Sequence, residues 1–172
     1  MMNDRNIVLV GFMGSGKSAV SRQLAELMKR EMVSTDALIE KKEGRAITEI
    51  FSQSGEAYFR QVEKDVISET VELKGSILDC GGGVILDPDN LVNLKKSGIT
   101  IYLRTSPDVI YARVKSSTHR PLLAVADPKT KIKEILDARK DLYEQADIIV
   151  DTDGKDVKQV CNNIIININN YK

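Results

Sequence analysis

The sequence predicts an α/β protein: a five-stranded parallel sheet covered by helices on both faces. Three observations carry this. Short apolar runs rich in Ile, Val and Leu recur along the 172 residues, separated by stretches with helical apolar spacing, the alternation of a parallel sheet whose strands are joined by covering helices. The first such run, Ile7–Val10, leads directly into Gly11-Phe12-Met13-Gly14-Ser15-Gly16-Lys17-Ser18 and then into the helical pattern of Ala19–Met28. Glycines then punctuate the chain at Gly44, Gly55, Gly75 and Gly98, where helices are expected to stop.

The elements follow in order. A first strand is expected at Asn6–Val10, then the Gly-rich loop and a helix to about Arg30. Met32–Ser34 reads as a second strand, and Thr35-Asp36 as the cap of a helix over Ala37–Glu43 that stops at Gly44. Ala46–Ser54 is a short helix ending at Gly55, and Glu56–Lys74 a longer one with Phe59, Val62, Val66 and Leu73 along one face. Ser76–Asp79 is a third strand running into Gly81-Gly82-Gly83. Pro88–Ser97 is a helix closed by Gly98, and Ile99–Arg104 a fourth strand. Ser106-Pro107 pairs a capping residue with Pro at the first helical position and opens a helix to about Lys115. Ser116–Asp127 breaks the pattern, Pro128–Ala146 is a charged amphipathic helix, Ile148–Val150 a fifth strand, Asp151–Lys155 a polar turn and Asp156–Asn170 a last helix.

Strand, Gly-rich loop ending in Gly-Lys-Ser, and helix together make a P-loop. Glycine lets the loop curl so that successive amides of Gly14, Ser15, Gly16, Lys17, Ser18 and Ala19 face one anion, where the helix dipole adds its field. Lys17 brings a cation to the β- and γ-phosphates, and Ser18 offers a hydroxyl to Mg²⁺. The expected architecture is therefore the three-layer α/β/α P-loop NTPase fold, of the nucleoside-monophosphate-kinase-like kind. Ligands of such sheets bind at the carboxyl ends of the strands. Asp36, Gly81–Gly83 and the Asp151–Lys155 turn all fall at that edge with the P-loop, so they are candidates for one site.

Bulk properties exclude several classes. Lys+Arg and Asp+Glu are each 25, giving a formal net charge of zero; a broad nucleic-acid surface needs a basic excess. No run is long enough to span a bilayer, and the polar start Met1–Asn6 does not read as a signal peptide. Cys80 and Cys161 lack metal-ligand spacing and His119 is the single histidine, so a multi-His site is excluded and reduced thiols are expected. One domain over residues 1–172, a cytoplasmic location and a monomer are the expectations.

With these residues placed, the chain resembles the shikimate kinases from Ile7 to about Val160. The P-loop is shared by many families; the specific signals are Asp36 after the second strand, Gly55-Glu56-Ala57-Tyr58-Phe59-Arg60, Cys80-Gly81-Gly82-Gly83-Val84, Arg120-Pro121-Leu122-Leu123, and Arg139-Lys140-Asp141-Leu142-Tyr143. The resemblance implies transfer of the γ-phosphoryl of ATP, with Mg²⁺, to the 3-hydroxyl of shikimate. It implies that residues 35–74 form an acceptor-binding insertion and 116–127 a lid. Arg60 and Arg139 would clamp the acceptor carboxylate, for which a guanidinium is bidentately matched. Asp36 would orient the attacking hydroxyl or take its proton. Gly81, Gly82 and Gly83 would let backbone approach the ring; Phe59 and Ile47 would give apolar contact; and Glu63, one turn beyond Arg60, would hold that arginine. Arg120 would reach the transferring phosphate from the lid. Arg113 and the turn containing Asp153 and Lys155 would border the adenine.

Two positions depart from the family pattern. The family usually carries Asp-x-Asp after the second strand, where this chain has Ser34-Thr35-Asp36. The position two before the triple glycine, usually small and polar, is Asp79. An apolar strand ending in Asp is the form in which other P-loop NTPases hold Mg²⁺, so Asp79 is expected to replace the missing carboxylate, with Ser18 as the other metal-side group. Two other readings stay open: a P-loop kinase of another hydroxy acid such as gluconate, and a nucleotide-binding module without kinase activity. The second lacks an Asn-Lys-x-Asp guanine signature.

Overall fold

The computed structural model describes residues 4–115 and 125–171. The expected lid motif, with His119 and Arg120, lies outside the described residues. The five strands are β1 (Asn6–Val10), β2 (Met32–Ser34), β3 (Ile77–Asp79), β4 (Gly98–Arg104) and β5 (Ile148–Asp151). All pair in parallel, in the order β2-β3-β1-β4-β5. The helices are α1 (Lys17–Met28), α2 (Thr35–Glu43), α3 (Ile47–Glu69), α4 (Pro88–Ser97), α5 (Pro107–Val114), α6 (Pro128–Tyr143) and α7 (Val157–Asn170).

Side-chain alternation along a strand builds two cores from one apolar run. Ile7 and Leu9 of β1 join Ile101, Leu103, Leu24 of α1 and Ile164 of α7 on one face. Val8 and Val10 join Leu78, Tyr102, Leu94 of α4 and Tyr143 of α6 on the other. Every residue of β1 is buried, which is why the run reads as continuously apolar. A third cluster packs Phe12 of the P-loop against Ile110, Val114, Ile132 and Leu136 of α5 and α6. A fourth, Ile39, Ile50, Phe59, Val62 and Val66, holds α2 onto α3.

Several boundaries differ from the expectation, each for a local reason. The cap of α2 is Ser34, whose Oγ accepts from the Ala37 amide at 3.3 Å; Thr35 and Asp36 lie in the first turn. As expected, two helical segments meet at Gly55, whose φ of 83° and ψ of 172° are non-helical, within the span Ile47–Glu69, and a 3-10 turn, Thr70–Glu72, follows. Glycine adopts that conformation without a Cβ penalty, so it ends the first segment and redirects the chain into the second. Gly98 closes α4 as expected, its amide donating to the Leu94 carbonyl, and with an extended φ of −171° it also opens β4. Helix α1 ends at Met28, with Lys29 in the left-handed region at φ 53°. Helix α6 ends at Tyr143, short of Ala146, and β5 runs on to Asp151.

Candidate active site

The P-loop takes the shape its glycines permit. Gly11, Gly14 and Gly16 all have positive φ, and at Gly14 a Cβ would also lie 2.7 Å from Val114 Cγ1. Lys17 is the first residue of α1 and only 8% exposed. Its Nζ donates to the carbonyls of Gly11 at 2.7 Å and Phe12 at 3.0 Å, so the loop's own backbone holds the ammonium over its concave side. Ser18 and Ala19 are exposed at the mouth. The Ser15 hydroxyl is turned inward, buried and without a described hydrogen-bond partner.

A cleft of about 380 Å³ opens at the carboxyl edge of the sheet. Its walls include Lys17 and Ser18 from the P-loop, Ser34 and Asp36 from the end of β2, Asp79 from β3, and Gly81 and Gly82 from the turn that follows. Residues far apart in sequence meet because β1, β3 and β2 are neighbours and end at one level. Asp36 is open to the cleft by surface area, yet protein surrounds its carboxylate. Burial, and then the charge of Asp79, push the Asp36 carboxyl above the ordinary carboxylate range, while Lys17 pulls it back.

The triple glycine is packed on three sides. A Cβ on Gly81 would sit 2.9 Å from Asp36 Oδ1 and 3.3 Å from Glu63 Oε1. One on Gly82 would sit 3.2 Å from the Met13 amide nitrogen, and one on Gly83 would sit 2.7 Å from both Nη atoms of Arg60. Arg60 therefore lies directly against the turn. It is held by Glu63, 1% exposed, at 2.8 Å through Nη1, and by Glu56 at 3.1 Å through Nη2. Burial pushes the Glu63 carboxyl upward and Arg60 opposes it. Phe59 turns into the core with 5% exposure, its ring 5.2 Å below the Arg60 guanidinium; it and half-buried Ile47 belong to the cluster between α2 and α3.

Arg139, half-buried on α6, stands over the Phe12 ring at 5.9 Å. One turn further, the Tyr143 hydroxyl donates to the Gly82 carbonyl at 2.6 Å, and its ring stacks on Tyr102 at 4.8 Å. Burial pushes this phenol up to about 12, with Arg139 and Arg60 both acting to lower it, so both guanidinium charges are felt at one end of the glycine turn. On the other side of the P-loop, Arg113 donates to the Gly14 carbonyl at 3.1 Å. Asp153 is placed differently: its Oδ1 accepts from the Ser106 amide at 3.0 Å, closing the loop after β5 onto the loop after β4. The Lys155 amide donates to the Thr152 carbonyl in the same turn. Neither Asp153 nor Lys155 lines the phosphate cleft.

Three residues make contacts here that the sequence reading did not assign to them. Thr35, read as a cap, is buried; its hydroxyl donates to the Asp79 carbonyl at 3.4 Å and accepts from the Gly81 amide at 3.2 Å, tying β2 to the glycine turn. Tyr143 enters the sequence reading only as the last residue of the Arg139–Tyr143 motif, with no role attached. Cys80 is buried and lines the cleft, and burial pushes its thiol well up, so it is a packing group. Hydroxyls and thiols carry no pattern that distinguishes such roles.

The chain is similar to known proteins in sequence and in fold. A family model for shikimate kinase matches residues 13–169. A shikimate kinase of Caldanaerobacter subterraneus subsp. tengcongensis is 40% identical over 161 residues, 94% of each chain. One of Thermodesulfovibrio yellowstonii is 44% identical over 161 residues, 94% of this chain and 93% of that one. Among solved structures, the shikimate kinase of Acinetobacter baumannii in complex with shikimate superposes with a TM-score of 0.93 at 37% identity, over 99% of this chain and 96% of that one.

Proposed function

The chain belongs to the shikimate kinase family, an ATP-dependent phosphotransferase family, and we propose how its own residues divide the transfer of the γ-phosphoryl to the 3-hydroxyl of shikimate. The P-loop amides of Gly14–Ala19 bind the phosphates. Lys17 leaves its two backbone carbonyls to meet the β- and γ-oxygens. Arg60, set against Gly83 by α3, and Arg139, carried by α6, bind the acceptor carboxylate. Gly81, Gly82 and Gly83 let the ring approach backbone that Asp36, Glu63, Met13 and Arg60 already crowd. Asp36 accepts from the attacking hydroxyl, orienting it or taking its proton. Phe59 supports Arg60 from below instead of meeting substrate directly. Arg113 borders the nucleotide through the P-loop, and Asp153 with Lys155 shapes the loop beside the base. Arg120 is assigned the transferring phosphate, and residues 35–74 act as the acceptor-binding part of a single domain.

The donor set fits Mg²⁺. It consists of hard oxygens, the Ser18 hydroxyl and cleft carboxylates, and among the described residues no three His, Cys, Asp or Glu side chains form a self-sufficient cage. That suits an ion which takes one or two protein oxygens and is completed by phosphate and water. When bound it would neutralise charge on the transferring phosphoryl. Among the described residues no helix is long and apolar enough to cross a membrane. With zero net charge, a cytoplasmic monomer without a nucleic-acid partner is the accompanying proposal.

The observation that carries this reading is the single cleft in which Lys17, Asp36 and the Gly81–Gly82 backbone face one another, with Arg60 against Gly83. The test is coupled ADP release with ATP and Mg²⁺, with shikimate, with gluconate, and with no acceptor. Release that depends on shikimate and falls about 10²–10⁴-fold in kcat in Asp36→Asn supports it. Release with gluconate alone would move the acceptor assignment, and equal release without acceptor would remove it.

A further inference from the structure

At the carboxyl edge of the sheet this chain carries a serine at the end of β2 and an aspartate at the end of β3. Ser34 and Asp79 are direct partners across β2 and β3, so their side chains leave the same face of the sheet at its carboxyl edge. Ser34 also lines the cleft, but it offers only a neutral hydroxyl, which accepts from the Ala37 amide and caps α2. Asp79 is 8% exposed and lines the cleft with Lys17 and Ser18. Asp36, the other carboxylate there, stands against Gly81 on the acceptor side. If Asp79 served only to cap the glycine turn, turn amides would donate to its side chain. Among the described residues the Gly81 amide donates to Thr35 Oγ1 instead, and the Val84 amide to the Gly81 carbonyl. The carboxylate is thus left facing the cleft while its backbone is fixed by Thr35.

We infer that Asp79 holds the hydrated divalent cation accompanying the nucleotide, in the place of a carboxylate on residue 34. The exchange works because the two positions are register partners on adjacent parallel strands. A carboxylate moved between them stays at the same level of the sheet and shifts sideways by one strand spacing, about 4.8 Å, a gap that one intervening water can span. This inference rests on the kinase reading only for the presence of a nucleotide–metal complex.

The test uses Mn²⁺ as the probe, titrated into the complex of the full chain with ADP and followed by the EPR signal of the free ion. Asp79→Asn should weaken Mn²⁺ by about 10–100-fold while ADP affinity in excess EDTA stays at the wild-type value. Ser34→Ala should leave Mn²⁺ affinity unchanged. The double variant Ser34→Asp/Asp79→Ser, which keeps an Asp cap on α2, should recover it. Equal and small effects of Asp79→Asn and Ser34→Ala overturn the inference, as does a loss of metal-free ADP binding in Asp79→Asn, which would make Asp79 a structural support of the loop. Failure of the kinase reading would show separately, as a wild-type protein that binds Mn²⁺–ADP but releases no ADP in response to shikimate.

Discussion

The hydroxyl of Tyr143 donates to the carbonyl of Gly82 at 2.6 Å, so helix α6 sets the height of the glycine turn at the floor of the cleft. Tyr143 is 1% exposed, and replacing it with Phe removes the hydroxyl that bonds the carbonyl of half-buried Gly82. Tyr143→Phe should lose about 1–2 kcal/mol of stability in urea unfolding. It should also raise KM for shikimate more than KM for ATP, because the P-loop keeps its own hydrogen bonds. An equal rise in both constants would count against a role specific to the acceptor side.

Gly83 and Gly98 make opposite predictions for the same substitution. At Gly83 an added Cβ meets the far end of a flexible side chain, both Nη atoms of Arg60 at 2.7 Å. Gly83→Ala should therefore fold normally and raise KM for shikimate about tenfold or more, the equivalent of about 1.4 kcal/mol of displaced guanidinium contact. At Gly98 the Cβ meets the backbone of Asn6, in contact with its carbonyl. Asn6 cannot yield, because its Nδ2 is tied to the carbonyls of Leu73 and Ser97. Gly98→Ala should lower Tm strongly and leave KM unchanged in whatever protein folds.

Arg60 has a structural debt as well as a ligand to bind. Glu63 is buried with Arg60 as its cation, so Arg60→Ala strands a carboxylate. Removing one partner of a fully buried pair costs about 3–5 kcal/mol; Arg60 keeps 28% side-chain exposure, so about 2 kcal/mol is expected here. Burial already raises the Glu63 carboxyl above 4.5, and without Arg60 it rises further. A raised folded value adds stability below the unfolded value and withdraws it as pH climbs through the folded one. The deficit of Arg60→Ala should therefore be small near pH 4 and largest above neutrality. Adding Glu63→Gln should restore stability without restoring affinity for shikimate, and a pH-independent deficit would refute the stranded charge.

Asp147 makes the opposite pH prediction at the far end of the sheet. Burial works against its charge, but the Thr100 hydroxyl at 2.6 Å, the Thr100 amide at 2.8 Å and the Tyr171 hydroxyl at 3.0 Å outweigh it and hold the carboxyl below 3.8. A depressed folded value gives stability above the unfolded value that is lost as pH falls through the folded one. Asp147→Asn should cost about 1 kcal/mol at pH 7 and flatten the stability curve below pH 4. An unchanged acid limb would assign that limb to other carboxylates.

The sequence alone determined the layered α/β fold, the P-loop, and the edge of the sheet where the cleft opens. These follow from local chemistry: uninterrupted apolar runs make strands buried on both faces, and two glycines followed by Lys and Ser can be read without knowing what lies across from them. Resemblance added Arg60, Arg139 and Asp36 as names without positions. Only the tertiary structure decided that Ser34 and Asp79 are partners in register, that Thr35 joins β2 to the glycine turn, that Arg60 lies against Gly83 and that Tyr143 bonds the Gly82 carbonyl. It also showed that Asp153 is turned onto Ser106. Each of these depends on which strands become neighbours. In a parallel sheet that order is set by helical crossovers tens of residues long, so the spacing of residues along the chain does not encode the distances between them in the site.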